Sequence, residues 1–308
     1  MIPQRQKQQT GLYALVDGIP FQLPVNSEKT PALIAVFPIN ADRAKKLMPG
    51  KEVHPFRLWN QGLLVITVID YQITDIGSYI EFSIAIACTH GAKPAPRLLP
   101  ALFMKQYGTG QYVFDLPVST EISVKGGKGI WGMPKHQANL DFLIGDRTVS
   151  SQYDLDGQLV MKIEVAKPAK AWFPLKLAAA NYCAFRGMLM KSYIYFQGKL
   201  GFSLFKPGSA RLILGDHPCI QPLKELEISP EPIFTGFFPE ITGILDDHFE
   251  NWFLGYDKPP KQKPEGLESV VNLGLGKEWL SPPKALPKDD DENLNNGIEK
   301  YESTSVNS

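Results

Sequence analysis

A single short segment, Gly126 to Ala138 (GGKGIWGMPKHQA), combines residue types that could carry covalent chemistry. Four glycines lie within seven residues, so the backbone can turn or be approached closely where a Cβ would block the contact. Trp131 and Met133 place large apolar groups beside Pro134, which stiffens the backbone that presents Lys135. A lysine held in this way is a candidate for a desolvated amine that is neutral near pH 7.

Such an amine can attack a ketone and form an iminium, which then accepts the electron pair of a breaking bond. The competing interpretation is a glycine-rich turn with an exposed lysine, because most lysines are solvated. A phosphate-binding loop is excluded, since no GxxxxGK[ST] occurs and Gly127 to Gly132 fits GxGxxG without a βαβ context. The segment alone leaves the covalent and the structural interpretations open.

Four stretches of the chain resemble motifs of one enzyme family. Lys128 to Lys135 (KGIWGMPK) is similar to the acetoacetate decarboxylase signature, in which a Gly-Arg-Glu segment leads to an aromatic-Pro-Lys-Lys element. The resemblance implies that Lys135 is the Schiff-base residue. The other stretches follow in the family's order and are Ile73 to Glu81 (ITDIGSYIE), Tyr112 to Asp115 (YVFD) and Ala210 to His217 (ARLILGDH). The likeness covers Gly11 to Trp252.

The first flanking stretch leads into a strand with a clear alternation. One face carries Ile80, Phe82, Ile84, Ile86 and Cys88, and the other carries Tyr79, Glu81, Ser83, Ala85 and Ala87. In the family's Gly-x-x-Tyr-x-Glu strand the glutamate lines the active site, so the resemblance implies that Glu81 lines a cavity and handles protons. The competing interpretation is an ordinary polar strand face turned to solvent.

The sequence also departs from the family pattern. His136 stands where the family has a second lysine, so a neutral Lys135 would depend mainly on burial. His136 is either a proton shuttle for the iminium–enamine pair or an ordinary loop histidine. The family's arginine and earlier glutamate fall near Thr30 and near Ile66 or Thr67, so neither charge is retained.

Three further residues are predicted to contact the substrate. Trp131 and Met133 supply apolar walls, and Lys128 supplies positive potential for a carboxylate. Lys128 and Lys125 can equally be interpreted as solvated turn residues.

The elements that must position these residues are short and rich in β-formers. Between Gly11 and Asp257, runs of Val, Ile, Phe and Tyr with partial period-two alternation are separated by Gly, Pro and Asn. A short helix is predicted after Asn40, the N-cap, and before Pro49. With the resemblance, this pattern predicts one α+β, mainly β domain over residues 11–257, whose curved antiparallel sheets form a closed or cone-shaped barrel of the acetoacetate decarboxylase-like type.

Both ends of the chain differ from this domain in composition. Residues 1–10 form a polar, flexible N-terminus with no apolar core of a secretory signal. Residues 258–308, with repeated prolines and a KDDDE run, predict a mostly disordered tail, in which Val270 to Leu280 is an apolar patch that can dock. The longest apolar runs are about half as long as a membrane span requires.

Composition narrows the function classes. Lys plus Arg equals Asp plus Glu, at 32 each, so nothing calls for nucleic acid or a membrane as partner. Three scattered cysteines and no HExxH indicate a cytoplasmic protein without a metal site. The preferred hypothesis is a Schiff-base lyase, without a cofactor, that acts on a small oxo-acid or ketone by decarboxylation or a related C–C or C–O cleavage. The alternative is a non-catalytic small-molecule-binding member of the same fold, and the resemblance implies a homo-oligomer in either case.

Overall fold

The structure, a computed structural model, describes residues 12–259 and 270–286, apart from the side chains of residues 246–248. The predicted N-terminal segment, residues 1–10, lies outside the described residues. The strands are β1 (Leu12–Val16), β2 (Ile19–Leu23), β3 (Val25–Asn40), β4 (Val53–Pro55), β5 (Gln61–Tyr71), β6 (Ile73–Thr74), β7 (Tyr79–His90), β8 (Gly110–Val118), β9 (Lys135–Gln137), β10 (Asn139–Leu140), β11 (Leu143–Ile144), β12 (Thr148–Leu155), β13 (Gln158–Ala166), β14 (Phe173–Phe185), β15 (Met188–Leu204), β16 (Ala210–Leu214) and β17 (Phe234–Phe253).

The helices are few and short: α1 (Ala41–Leu47), α2 (Leu99–Leu102), α3 (Glu121–Trp131) and α4 (Gln221–Lys224), with a 3₁₀ turn at Pro218–Ile220. The helix predicted after Asn40 is α1, and the Asn40 side chain accepts hydrogen bonds from the backbone N–H groups of Asp42 and Arg43. Within the described residues, no helix has the length and apolar character that spanning a bilayer requires.

Seven strands of the largest sheet close into a barrel. Their order is β7-β5-β3-β17-β15-β14-β8, and β8 pairs again with β7. The pairs are antiparallel except for β14 with β8, which is parallel. Closure leaves these strands without a free edge. The prediction of a mainly β, closed barrel is confirmed.

A second sheet covers one side of the barrel. It has the order β10-β12-β13-β16, with β11 also paired to β12. The main core lies between the two sheets, where the rings of Phe82 on β7 and Tyr153 on β12 are 5.9 Å apart. Phe82, Ile84 and Ile86 are all buried in this core. Because side chains alternate along a strand, the opposite face of β7 is turned into the barrel.

Residues 270–286 run along the outside of the domain without regular secondary structure. The backbone N–H of Ile122 in α3 donates to the Gly276 carbonyl (3.1 Å), and Asn139 Nδ2 donates to the Ser281 carbonyl (2.6 Å). Leu273 packs beside Tyr79 and against the inner side of α3. This segment, which includes the apolar patch Val270 to Leu280, lies on the domain because the domain supplies donors for its carbonyl groups and an apolar site for Leu273.

Candidate active site

The side-chain amine of Lys135 is buried and has two close polar partners. Lys135 begins β9, which runs parallel to the end of β8. Its Nζ lies 2.7 Å from Glu81 Oε2 and donates to Ser123 Oγ at 3.0 Å. Lys135 is 2% exposed, and Nζ sits 5.4 Å from the centre of the Tyr79 ring. The interpretation of this lysine as an exposed turn residue is wrong.

The glycines allow the lysine to pass close to a helix. Most of the glycine-rich segment belongs to α3, which ends at Gly132, a left-handed C-cap with φ +63°. A Cβ placed on Gly127 would lie 2.5 Å from Lys135 Cδ and 2.7 Å from Cε, well inside van der Waals contact. Only glycine at position 127 therefore accommodates the observed path of the Lys135 side chain.

Glu81 joins this amine to an internal cavity. Glu81 is 6% exposed and lies on the inner face of β7, between Tyr79 and Ser83. All three side chains line a cavity of about 220 Å³ inside the barrel, and Met133 lines it as well. Lys135 itself does not line the cavity, but it contacts Glu81 and Tyr79, which do. The carboxylate thus stands between the amine and the open space.

Two tyrosines complete the inner end of the cavity. The rings of Tyr71 and Tyr79 are stacked with centroids 4.6 Å apart, and both line the cavity. Burial, and next the negative charge of Glu81, raises the pKa of both phenols well above the ordinary value, while hydrogen bonding to Ser123 acts in the opposite direction on Tyr79. Both phenols therefore keep their protons.

The sequence motifs do not single out Tyr71, Tyr79 or Ser123. Tyr79 could have been found, because it lies two residues before Glu81 and so on the same face of β7. Ser123 carries no such signal. It reaches Lys135 only because α3 packs against β9, and the sequence did not predict α3.

His136 points away from the amine, which corrects the proton-shuttle hypothesis for this residue. Adjacent residues of a strand face opposite sides, so the ring of His136 lies on the outside of the barrel. There Nε2 is 2.9 Å from the Tyr153 hydroxyl, and Nδ1 is 3.4 Å from Asp115 Oδ1. Burial raises the pKa of the Asp115 carboxyl, and the His136 charge acts in the opposite direction. His136 belongs to a polar cluster between the barrel and the second sheet.

Of the three residues predicted to contact substrate, only Met133 lines the cavity. Trp131 is buried in an apolar cluster with Leu116 and Cys183 but does not reach the open space. Lys128 is half-buried on α3 and is likewise absent from the lining.

Lys125 is also not a solvated turn residue. It is 2% exposed, and its Nζ donates to Asp17 Oδ2 at 3.0 Å. The same amine donates to the carbonyl groups of Val270 (3.1 Å) and Leu273 (2.8 Å), both in the C-terminal segment 270–286. Lys125 therefore fixes this segment to α3 and has no route to the cavity.

The positions at which the family carries two further charges are uncharged here. Thr30 is buried, and its hydroxyl donates to the Glu28 carbonyl at 3.0 Å. Thr67 lines the cavity, whereas Ile66 faces the core on the other side of β5. Among the lining residues that the structure describes, Glu81 is the one charged side chain.

The internal cavity of the closed β-barrel ends at the buried Lys135–Glu81 pair. An enclosed, mostly apolar cavity with a few polar groups is typical of small-molecule binding sites. The family model for acetoacetate decarboxylase matches residues 13–238. The chain belongs to the acetoacetate decarboxylase family.

Solved structures share the fold of this chain. The chain is similar to acetoacetate decarboxylase from Legionella pneumophila subsp. pneumophila str. Philadelphia 1, with a TM-score of 0.52 and 12% identity over 79% of this chain and 90% of that chain. A second acetoacetate decarboxylase structure gives a TM-score of 0.53 and 16% identity over 75% of this chain and 89% of that chain. At these identities the likeness shows the fold alone. No curated protein matches the sequence.

Proposed function

We propose that this protein is a Schiff-base lyase in which the amine of Lys135 condenses with the carbonyl group of a small oxo-acid or ketone. One observation carries the proposal: a buried lysine amine lies 2.7 Å from a buried carboxylate, at the inner end of an internal cavity. Family membership supports an activity of this general type. The homo-oligomer and the cytoplasmic location expected from the sequence are part of the same proposal.

The contact between Lys135 and Glu81 supports the first step of such a reaction. Glu81 takes a proton from Lys135 across the 2.7 Å contact and leaves a neutral amine. The amine adds to the carbonyl carbon, and loss of one water molecule gives the iminium. In decarboxylation or carbon–carbon cleavage, the electron pair of the breaking bond then moves to the iminium and forms an enamine. In carbon–oxygen cleavage, loss of an α-proton forms the enamine, whose electron pair then expels the oxygen substituent from the next carbon and leaves an unsaturated iminium. Protonation and hydrolysis release the product and restore Lys135.

Tyr79 and Ser123 are positioning residues in this proposal. Ser123 accepts a hydrogen bond from the amine and fixes its direction. The Tyr79 phenol keeps its proton, because burial raises its pKa, and it can donate to the carbonyl oxygen as the amine adds.

The test is reductive trapping with borohydride in the presence of a panel of oxo-acids and ketones, followed by peptide mass spectrometry. We expect a reduced adduct on Lys135 and none in Lys135→Met. Lys125→Met is the matched control, because Lys125 is equally buried but bonded to Asp17 and remote from the lining. A folded wild-type protein that gives no adduct with any member of the panel would refute the Schiff-base mechanism.

A second candidate function is non-catalytic binding of a carbonyl compound. It is favoured by the absence of a cationic residue from the described lining and by the Lys135–Glu81 ion pair, which occupies the amine. The two candidates differ in one measurement. A binder takes up ligand without exchanging its α-hydrogens with D₂O, whereas an enzyme that forms the iminium and enamine exchanges them.

A further inference from the structure

We propose that the cavity selects uncharged carbonyl compounds that carry an apolar chain, and that it rejects oxo-acids. The inference deepens the proposed function and rests on it for the identity of the reacting group. The evidence for it is the lining of the cavity: the charge of the lining, the position of the apolar wall and the apolar face of β14.

The cavity offers no cation to an anionic substrate. Glu81 is the one charged side chain among the described lining residues, and its partner Lys135 is already 2.7 Å from it, so an entering carboxylate finds no further cation in the lining. Between the two lining amides, Gln111 Nε2 donates to Asn181 Oδ1 at 2.7 Å, so part of their hydrogen-bonding capacity is used within the wall. Likewise, the Thr74 hydroxyl donates to the Gly77 carbonyl at 2.6 Å. The lining offers a carboxylate neutral hydroxyl and amide donors but no cation. Removing an anion from water without a partner of opposite charge is strongly unfavourable, so the site disfavours oxo-acids.

The wall opposite Glu81 is apolar. In the closed ring of seven strands, β15 and β17 lie across the barrel from β7, which carries Glu81. Their inward side chains line the cavity and are Ile194, Phe196, Phe238, Ile241 and Ile244. A substrate with its carbonyl group at Glu81 and Tyr79 would therefore extend its remaining atoms against this apolar wall. That arrangement favours a hydrocarbon chain.

The β14 side of the cavity carries exposed apolar groups. Leu177 on β14 lines the cavity and is 36% exposed. Phe173 and Leu175 precede it on the same face of the strand, and Phe173 is 39% exposed. This face of β14 is therefore apolar both at the cavity and beyond it.

An uncharged substrate has consequences for the reaction. Without a carboxylate, no carbon dioxide can be lost, and an aldol-type cleavage requires a substrate with a hydroxyl-bearing carbon next to the bond that breaks. In an aldol-type cleavage Glu81 takes the proton of that hydroxyl, and the electron pair of the carbon–carbon bond moves to the iminium on Lys135. An aldehyde leaves, the resulting enamine is protonated, and water then releases a ketone.

The experiment compares binding to the full-length protein by isothermal titration calorimetry. One series contains straight-chain methyl ketones of four to nine carbons. The matched series contains oxo-acids in which the terminal methyl group is replaced by a carboxylate. We expect the ketones to bind about fourfold more tightly for each added methylene until the cavity is filled. We expect each matched oxo-acid to bind at least about tenfold more weakly than its ketone.

A pair of variants locates the binding in the cavity. Ala179→Phe fills part of the lining and should remove most of the chain-length effect, whereas Ala178→Phe, its neighbour on the other face of β14, should preserve it. If Ala179→Phe does not fold, the comparison of ketones with oxo-acids on the wild-type protein still tests whether the cavity prefers uncharged compounds.

Oxo-acids that bind as tightly as their ketones would overturn the inference, and so would ketones that show no chain-length trend or no binding. Ketones that follow the trend without forming a borohydride adduct would support the cavity preference and refute the Schiff-base proposal. The experiments therefore distinguish failure of the cavity preference from failure of the Schiff-base mechanism.

Discussion

Replacing Gly127 with alanine should displace Lys135 from its partners while leaving both partners in place. The added Cβ would stand 2.5 Å from Lys135 Cδ, 2.7 Å from Cε and 3.1 Å from Nζ. Carbon atoms prefer a separation of about 3.5–4.0 Å, so the lysine chain must retreat by about 1 Å. Because the amine bonds Glu81 and Ser123 at 2.7 Å and 3.0 Å, such a shift breaks or distorts both contacts.

Helix propensity and the loss of the ion pair make opposing contributions to the expected change in the free energy of unfolding. Alanine in the interior of α3 gains about 1 kcal/mol of helix propensity over glycine. Breaking a buried ion pair costs about 3–5 kcal/mol, and this figure applies because Lys135 and Glu81 are both nearly inaccessible. We therefore expect Gly127→Ala to lower the free energy of unfolding by about 2–4 kcal/mol. Misplacing a reacting group by about 1 Å should slow reductive trapping about 100-fold.

The assays are urea unfolding and the rate of borohydride adduct formation at Lys135. Gly126→Ala is the matched control, because it gains the same helix propensity and its Cβ meets the ring of Phe21 at 3.0 Å instead of the lysine. We expect the control to change stability only slightly and to trap at the wild-type rate. If Gly127→Ala is as stable as the control and forms adduct as fast, close packing against α3 does not hold the amine.

Three further predictions concern the carboxylates and the C-terminal segment. Glu81→Gln should slow exchange of ketone α-hydrogens with D₂O about 100-fold while an adduct still forms at Lys135, and unchanged exchange by NMR would exclude Glu81 as the proton acceptor. Leu273→Ala removes a side chain that packs against Tyr79 and should lower the free energy of unfolding by about 1–2 kcal/mol. Leu275 is exposed, so Leu275→Ala should change the free energy of unfolding by less than about 0.5 kcal/mol. Burial raises the pKa of Asp115, so its contribution to stability is complete below the ordinary value of 3.8 and is lost as the pH rises through the raised value. The stability of Asp115→Asn relative to wild type should therefore increase between about pH 4 and pH 7, and a difference that is constant with pH would contradict this.

Local sequence patterns were sufficient to predict much of the barrel. The alternation of β7 separates the core residue Phe82 from the cavity residue Glu81, because strand periodicity is a purely local property. The cap of α1 at Asn40 was readable for the same reason. By contrast, α3 was not predictable from its own residues, since glycines at 126, 127 and 129 each disfavour a helix by about 1 kcal/mol. Tertiary contacts, including the bond from Ile122 to Gly276, stabilise it instead.

The residues of the candidate site also differ in whether the sequence predicted them. Lys135 and Glu81 came from motifs, and the structure brings them together. Ser123 depends on the packing of α3 and has no local signal. His136 was expected at the amine because it follows Lys135, but sequence neighbours in β9 face opposite sides of the barrel. The position of a side chain relative to a site depends on the strand phase, which so short an element does not reveal.

The same ion pair bears on the charge of the substrate. In the proposed reaction a neutral carbonyl compound leaves Glu81 free to accept the proton of Lys135, and the amine then adds to the carbonyl carbon. An oxo-acid would instead bring a second carboxylate toward Glu81, in a cavity whose described lining has no cation. Like charges held close together away from bulk water repel strongly. The absence of a lining cation therefore opposes the binding of oxo-acids.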